Sequence, residues 1–362
     1  MTRAAGLDRP VLVTGGAGFI GANLSDRLAR EGHAVIVYDA LLRAGVRRNL
    51  EWLRARHPGR ITPVIADLRD EAQLAAAVAD AGAVFHLAGQ VAVTTSLLDP
   101  REDFGTNLLG TVLLLDTVRR RPGGPIPVIF ASTNKVYGDL ADVALTLDGE
   151  TYRPTAAAMR THGVDEDRRL DFHTPYGCSK GAADQYVLDW CRSYGVPSVV
   201  FRMSCIYGPR QMGTEDQGWV AHFLIRALAG QTIHVFGDGC QVRDVLHVDD
   251  AVDAYLAAWR NIGDVAGRAF NLGGGPENAV SLRQVLGAIG AMTGPPPRVE
   301  HRPWRAGDQR WYVSDTRRAT VMLGLRPPMP WKKGLASLAD WLRRDALPPA
   351  IPASLEHAGP LR

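Results

Sequence analysis

Val11-Leu12-Val13-Thr14-Gly15-Gly16-Ala17-Gly18-Phe19-Ile20-Gly21 is the stretch whose reading decides the fold. Its first residues are apolar or β-branched, as a buried strand requires, and from Phe19 to Arg30 the apolar residues recur at helical spacing. Gly15, Gly18 and Gly21 therefore fall in a strand-to-helix turn. Such a turn lets the backbone approach a pyrophosphate and aims a helix N-terminus at its charge. The spacing is Gly-x-x-Gly-x-x-Gly, and glycines alone would be weak evidence; the strand and helix that flank them give the motif its weight. On this reading Gly15, Gly18, Phe19, Ile20 and Gly21 cradle the phosphates of a dinucleotide.

Working outward, short apolar runs alternate with amphipathic helical patterns, the signature of repeated βαβ units. Strands are expected at Val11–Thr14, Ala34–Tyr38, Ile61–Ile65, Ala83–Leu87, Val128–Ala131 and Val199–Arg202, with helices at Phe19–Arg30, Glu71–Ala79 and Phe104–Arg120. Asp39 ends the second strand roughly twenty residues after the glycines, where a carboxylate accepts from a ribose 2′-hydroxyl and repels a 2′-phosphate. This favours NAD over NADP, although Arg43, Arg47 and Arg48 follow closely. Asp67 and Leu68, after the third strand, are expected at the adenine. Beyond Pro209 the pattern is less regular, with helices near Trp219–Ala229, Asp249–Trp259, Leu282–Met292 and Lys333–Arg344 and a short strand near Ile233–Phe236. The expected fold is α/β, a Rossmann-type doubly wound parallel sheet with a smaller, mixed C-terminal substrate-binding region. Residues 1–202 would form the dinucleotide-binding part, with 248–275 returning to it, and residues 203–247 and 276–346 the substrate-binding part. The Pro- and Ala-rich residues 347–362 read as a flexible tail.

The bulk properties exclude several partners. With 41 basic and 38 acidic residues the net charge is only +3, and no basic stripe with interleaved aromatics is present, so neither nucleic acid nor a membrane surface is implied. No apolar run reaches membrane-spanning length, and Met1-Thr2-Arg3 leads almost directly into the first strand without the apolar core of a signal peptide. Cys178, Cys191, Cys205 and Cys240 form no CxxC pair and have no companion histidine at metal-ligand spacing. They read as reduced thiols in a cytoplasmic protein that uses no metal.

A second stretch carries chemistry. In His173-Thr174-Pro175-Tyr176-Gly177-Cys178-Ser179-Lys180 a helix places Tyr176 and Lys180 on one face, four residues apart, and Pro175 suits its first turn. Unperturbed tyrosine has a pKa of about 10, so proton transfer near neutrality needs about 3 to 4 kcal/mol of preferential stabilisation of the phenolate. One lysine together with a second positive charge supplies that.

With this pair, the glycine loop and His86-Leu87-Ala88-Gly89 after the fourth strand, the chain resembles the extended short-chain dehydrogenase/reductase family over nearly its whole length. The resemblance implies that Leu87, Ala88 and Gly89 join Tyr176 and Lys180 at the cofactor. It also implies that Thr133, in Ser132-Thr133-Asn134-Lys135-Val136-Tyr137-Gly138, is the substrate-orienting hydroxyl of a Thr133/Tyr176/Lys180 catalytic set. Family members that dehydrate sugars carry Asp-Glu directly after this threonine. Asn134 and Lys135 stand there instead, which disfavours dehydration and leaves epimerisation. Longer strings, among them His86 to Ser96 and Gln241 to His247, resemble the family's CDP-hexose 2-epimerases. They imply an NAD-dependent nucleotide-sugar epimerase that inverts C2 by transient oxidation. Alternatives are a 4-epimerase, a 2-epimerase of another CDP- or UDP-hexose, and a non-catalytic NAD-binding module. By the same resemblance, substrate contacts are expected at Gln90, Thr133, Asn134, Cys205, Arg243 and Arg305, the two arginines on the diphosphate. A base could stack on Trp219. The family's habit of pairing the helices equivalent to Phe104–Arg120 and Tyr176–Tyr194 implies a homodimer or homotetramer.

Overall fold

The computed structural model describes residues 9–346 apart from 295 and 306; the tail expected from Leu347 lies outside the described residues. Seven strands form one sheet: β1 (Val11–Thr14), β2 (Val35–Tyr38), β3 (Ile61–Val64), β4 (Ala83–His86), β5 (Val128–Thr133), β6 (Ser198–Met203) and β7 (Arg268–Leu272). Their spatial order is 3-2-1-4-5-6-7, and every neighbouring pair is parallel. Side chains alternate between two helix-covered faces, so most of these strands read as nearly unbroken apolar runs. Val11, Val13, Phe85, Ile129 and Phe201 pack on one face with Leu28 and Tyr255. Leu12, Val84, Val128, Phe130 and Val200 pack on the other with Leu114 and Val187. The chain reverses its direction of travel across the sheet between β1 and β4, and a crevice must open beyond the C-terminal ends of those two strands.

A second group of elements stands over that crevice. The buried strand Val242–His247 pairs in parallel with Cys205–Tyr207 and Trp311–Tyr312 and antiparallel with Ala279–Ser281. Ile233–Phe236 pairs with Val299–Arg302. Behind them the helices Trp219–Leu228, Leu282–Thr293 and Trp331–Trp341 enclose a separate apolar core.

Several expectations need correction. Val46–Arg56 is a helix, although its four arginines obscure the buried stripe of Val46, Leu50 and Leu53. The expected Phe104–Arg120 helix is Pro100–Phe104 followed by a π-helical turn at Gly105–Leu109 and an α-helix at Gly110–Arg119. The hairpin Leu145–Asp148/Thr151–Pro154 and the strand Val242–His247 have no counterpart in the strand pattern read from sequence.

Candidate active site

The glycine loop meets β4 so closely that side chains are excluded. A Cβ on Gly15, whose φ is +65°, would lie 2.7 Å from the Ala88 nitrogen, and one on Gly21 would lie 2.1 Å from the Gly15 carbonyl oxygen. Gly18 caps the Phe19–Arg30 helix without any side-chain hydrogen bond, so that helix presents first-turn N–H groups free of side-chain caps. Asp39 stands beside the loop and accepts from the backbone N–H of Ala17 (3.1 Å) and of Leu41 (2.8 Å). Burial raises its pKa, and these N–H bonds oppose the rise. Arg43 turns to Gln217 and Arg48 to the Asp345 carbonyl, so both have partners away from the Asp39 carboxylate. The Asp67 carboxylate is gripped by Arg69, which also bridges to Glu102, and this pairing lowers its pKa. Gly15, Gly18, Phe19, Ile20, Gly21, Asp39, Asp67, Leu68, Leu87, Ala88 and Gly89 all line one cavity of about 910 Å³. An uncapped helix terminus, a glycine-rich loop and a carboxylate at the strand end fit a dinucleotide bound there.

The same cavity reaches Thr133, Tyr176 and Lys180. Thr133 ends β5, while Tyr176 and Lys180 share the Thr174–Tyr194 helix, whose first turn contains Pro175. Thr174, just before it, has φ +63°, an uncommon conformation for a β-branched residue. The Thr133 hydroxyl hydrogen-bonds Tyr176. Lys180 donates to the Ala131 carbonyl at 2.5 Å, and its ammonium lies 4.1 Å from the centre of the Phe130 ring. Burial lowers the Lys180 pKa to about 7, with Asp184 and Asp103 opposing, and it raises that of Tyr176 to about 12. The protein alone therefore holds a neutral phenol: Thr133 favours its ionisation, but burial and the nearby Asp103 outweigh it. The expected depression of the Tyr176 pKa has to come from a positive charge the cavity receives.

Beneath this set lies a polar network that sequence reading missed. The Asp103 carboxylate, 1% exposed, accepts from Ser179 (2.5 Å), Gln90 (3.0 Å) and Asn107 (3.1 Å). Asp-Pro-Arg-Glu-Asp looks like an ordinary capped helix start, so no local signal marks Asp103. The network also accounts for Gln90. Its amide nitrogen is held by Asp103 and the Ala92 carbonyl while the residue lines the same cavity. His86 ties β4 to β1 and to Thr111. The Thr111 hydroxyl gives its proton to the Asn107 carbonyl, so its oxygen accepts from Nε2–H, and Nδ1 accepts from Thr14. Burial drives the His86 pKa down to about 3, which keeps this ring neutral.

The far end of the cavity belongs to the second group of elements. Arg243, 7% exposed, pairs with Asp308 at 2.6 Å, while the neighbouring Asp244 faces away and accepts from Ser204 and from the Gly275 N–H. Arg305 lies 3.6 Å from the Phe236 ring centre and bonds Glu215 at 3.1 Å. Cys205 accepts from the Trp219 indole at 3.3 Å, and burial pushes its thiol pKa up, so it is no nucleophile. Asn134 bonds Gln309, and Lys135 donates to the Gly307 carbonyl at 3.0 Å. The cavity brings Thr133, Asn134, Cys205, Arg243 and Arg305 together on its lining. Thr94 and Gln241, which also line it, each carry a buried side-chain oxygen with no hydrogen-bond partner, and a polar ligand would satisfy them. Among the described residues no group of His, Cys, Asp and Glu could hold a metal ion, and no helix is long and apolar enough to cross a membrane.

Comparison with known proteins agrees with this site. Residues 11–273 match the NAD dependent epimerase/dehydratase family. The chain is 39% identical to the CDP-paratose 2-epimerase of Salmonella typhi, over 91% of this chain and 98% of that protein. It is 34% identical to a UDP-glucose 4-epimerase of Mycolicibacterium smegmatis, over 92% and 99%. Among solved structures, the UDP-glucose 4-epimerase of Thermus thermophilus in complex with NAD superposes with a TM-score of 0.78 at 30% identity, covering 93% of this chain and 99% of that one. The Thermotoga maritima UDP-glucose 4-epimerase with UDP-glucose gives the same TM-score and identity, over 92% and 99%. With its glycine loop, its Asp39 and its Tyr176/Lys180 helix on one cavity, the chain belongs to the NAD-dependent epimerase/dehydratase family of extended short-chain dehydrogenases/reductases.

Proposed function

We propose that this enzyme inverts C2 of a CDP-linked hexose of the paratose/tyvelose type. The observation that carries the proposal is the content of the β5 end. Thr133, Tyr176 and Lys180 converge on one cavity, and the two positions after Thr133 hold Asn134 and Lys135, which are not carboxylates. An acid/base pair that would expel water from the oxidised sugar is thus missing from those positions, and the oxidised sugar is left to be reduced again. The 39% identity to a CDP-paratose 2-epimerase supports the choice of carbon and nucleotide.

NAD, when bound, supplies the two-electron acceptor and a positive charge near Tyr176. The protein does the rest. Thr133 orients the C2 hydroxyl towards Tyr176, whose phenolate form, favoured by the added positive charge, takes its proton. Lys180 is fixed by the Ala131 carbonyl with its remaining donors available to the phenolate and a ribose hydroxyl. The substrate loses the C2 hydrogen and the O2 proton, becomes a 2-ketone, turns in the cavity and regains both, with hydrogen on the opposite face. Arg243 and Arg305 exchange part of their carboxylate pairing for the diphosphate.

Incubating the enzyme with CDP-paratose deuterated at C2 tests the reading by NMR. The label is expected at C2 of the inverted product; its loss to solvent would rule out this route in favour of carbon deprotonation. The exposed Leu98, Phe104, Leu109, Tyr186 and Tyr194 support a homodimer through the helices that carry them. Sedimentation of Leu109→Glu as a monomer, against a wild-type dimer, checks this. Four free cysteines and a nucleotide-sugar substrate support a cytoplasmic location.

A further inference from the structure

Lys135 is a cation on the cavity lining that the reaction above does not use. It follows the catalytic Thr133 by two residues, and its backbone N–H donates to the Thr133 hydroxyl oxygen at 3.2 Å, so the position of one constrains the other. The residue lines the cavity, and its ammonium bonds the carbonyl of Gly307, which lines it too. Among the described residues its only hydrogen-bond partner is the Gly307 carbonyl, which uses one of three protons. Arg243, Asp308, Cys205 and Asp139 are the groups whose charges it feels. Burial, assisted by Arg243, brings its pKa down to about 8, with Asp308, Cys205 and Asp139 opposing. At neutral pH it therefore remains mainly a donor.

Epimerisation sets a demand that simple oxidation does not. The ketone must leave one orientation and enter another without escaping. A planar donor such as Arg243, held by Asp308 and the Val242 carbonyl, suits the diphosphate, which stays in place. A flexible stem with two uncommitted N–H groups suits oxygens that move. We propose that Lys135 retains the keto sugar and presents it to the cofactor in both orientations, donating to its ring substituents before and after it turns. This rests on the C2-epimerase reading above and concerns how the intermediate is kept, which that reading leaves open.

The test compares holoenzyme with Lys135→Met and Lys135→Arg, using CDP-paratose as substrate. Two products are counted: inverted sugar, by NMR, and escaped keto sugar, captured as its oxime with hydroxylamine and matched to reduced nicotinamide by absorbance. Loss of a charged donor is expected to raise the ratio of escaped to inverted sugar in Lys135→Met by about tenfold or more, with Lys135→Arg in between. A purely structural lysine would lower both products together and leave the ratio unchanged, and that outcome overturns the proposal, as does a Lys135→Met variant that behaves like wild type. Failure of the parent reading looks different. If wild type leaves CDP-paratose untouched and inverts C4 of UDP-glucose, the carbon and nucleotide are wrong, and the same ratio measured on UDP-glucose still decides the role of Lys135.

Discussion

Lys180 donates to the carbonyl of Ala131 at 2.5 Å, a bond that ties the Thr174–Tyr194 helix to the end of β5. Together with the bond between Tyr176 and Thr133 it fixes the phenol on the lining of the cavity. Tyr176→Phe keeps the ring and its packing and loses only the proton carrier. Turnover is expected to fall about 10²- to 10⁴-fold with NAD affinity unchanged, measured as kcat beside a fluorescence titration. Full activity in this variant would remove Tyr176 from the mechanism.

Lys180 also leaves a mark on stability. Its folded pKa of about 7 lies below the ordinary lysine value, because burial disfavours the charge more than Asp184 and Asp103 favour it. Between about pH 7 and the ordinary value near 10.4, the unfolded chain binds the proton more readily than the folded one. The lysine's contribution therefore improves as pH rises through that window, by at most about 1.4 kcal/mol per pH unit, and its full penalty is felt below it. Subtracting Lys180→Met urea curves from wild type at several pH values isolates this slope. Parallel curves would show that Lys180 titrates normally in the folded protein.

Asp39 is expected to set the preference for NAD over NADP. Asp39→Asn preserves the shape and part of the bonding to Ala17 and Leu41 while removing the charge that repels a 2′-phosphate. Calorimetric titration with NAD and NADP is expected to shift the preference towards NADP by about tenfold or more. An unchanged ratio would mean that discrimination resides elsewhere.

Asp184 is a positioning residue one turn beyond Lys180. Completely buried, it accepts two bonds from Arg202, each 3.0 Å, and one from Ser132, beside Thr133. Asp184→Ala leaves a buried guanidinium unpaired and is expected to cost about 3 to 5 kcal/mol in urea denaturation. Replacing both partners, as Asp184→Leu with Arg202→Met, should recover much of that loss. A double variant no better than the single one would argue against the unpaired charge as the cause.

The sequence was most legible where local and global demands coincide. Strands buried on both faces must be apolar, so β1, β2, β4, β5 and β6 can be read to within about two residues, and Asp39 follows from the position of β2. Legibility failed where burial is polar. Val242–His247 carries Arg243, Asp244 and His247 inside a fully buried strand, with Asp308 pairing Arg243 and Ser204 and Gly275 satisfying Asp244 from other parts of the chain. Asp103 and Gln90 satisfy each other from separate elements, a relationship without sequence spacing. The Tyr176–Lys180 pair was legible as geometry, but its proton affinities were not, since they depend on what encloses it.

The position of β7 bears on how the chain is made. β6, with the sequence Ser-Val-Val-Phe-Arg-Met, has β5 on one side and Arg268–Leu272 on the other, and that second neighbour follows a long excursion through the upper elements. As the polypeptide leaves the ribosome, the outer edge of β6 stays an unpaired, apolar template until residue 272 has emerged. A fragment ended before Arg268 would keep the whole glycine loop yet expose this edge to other chains. Truncation there is thus expected to yield aggregates in place of a smaller cofactor-binding protein, and synthesis through β7 becomes the step that makes the sheet safe.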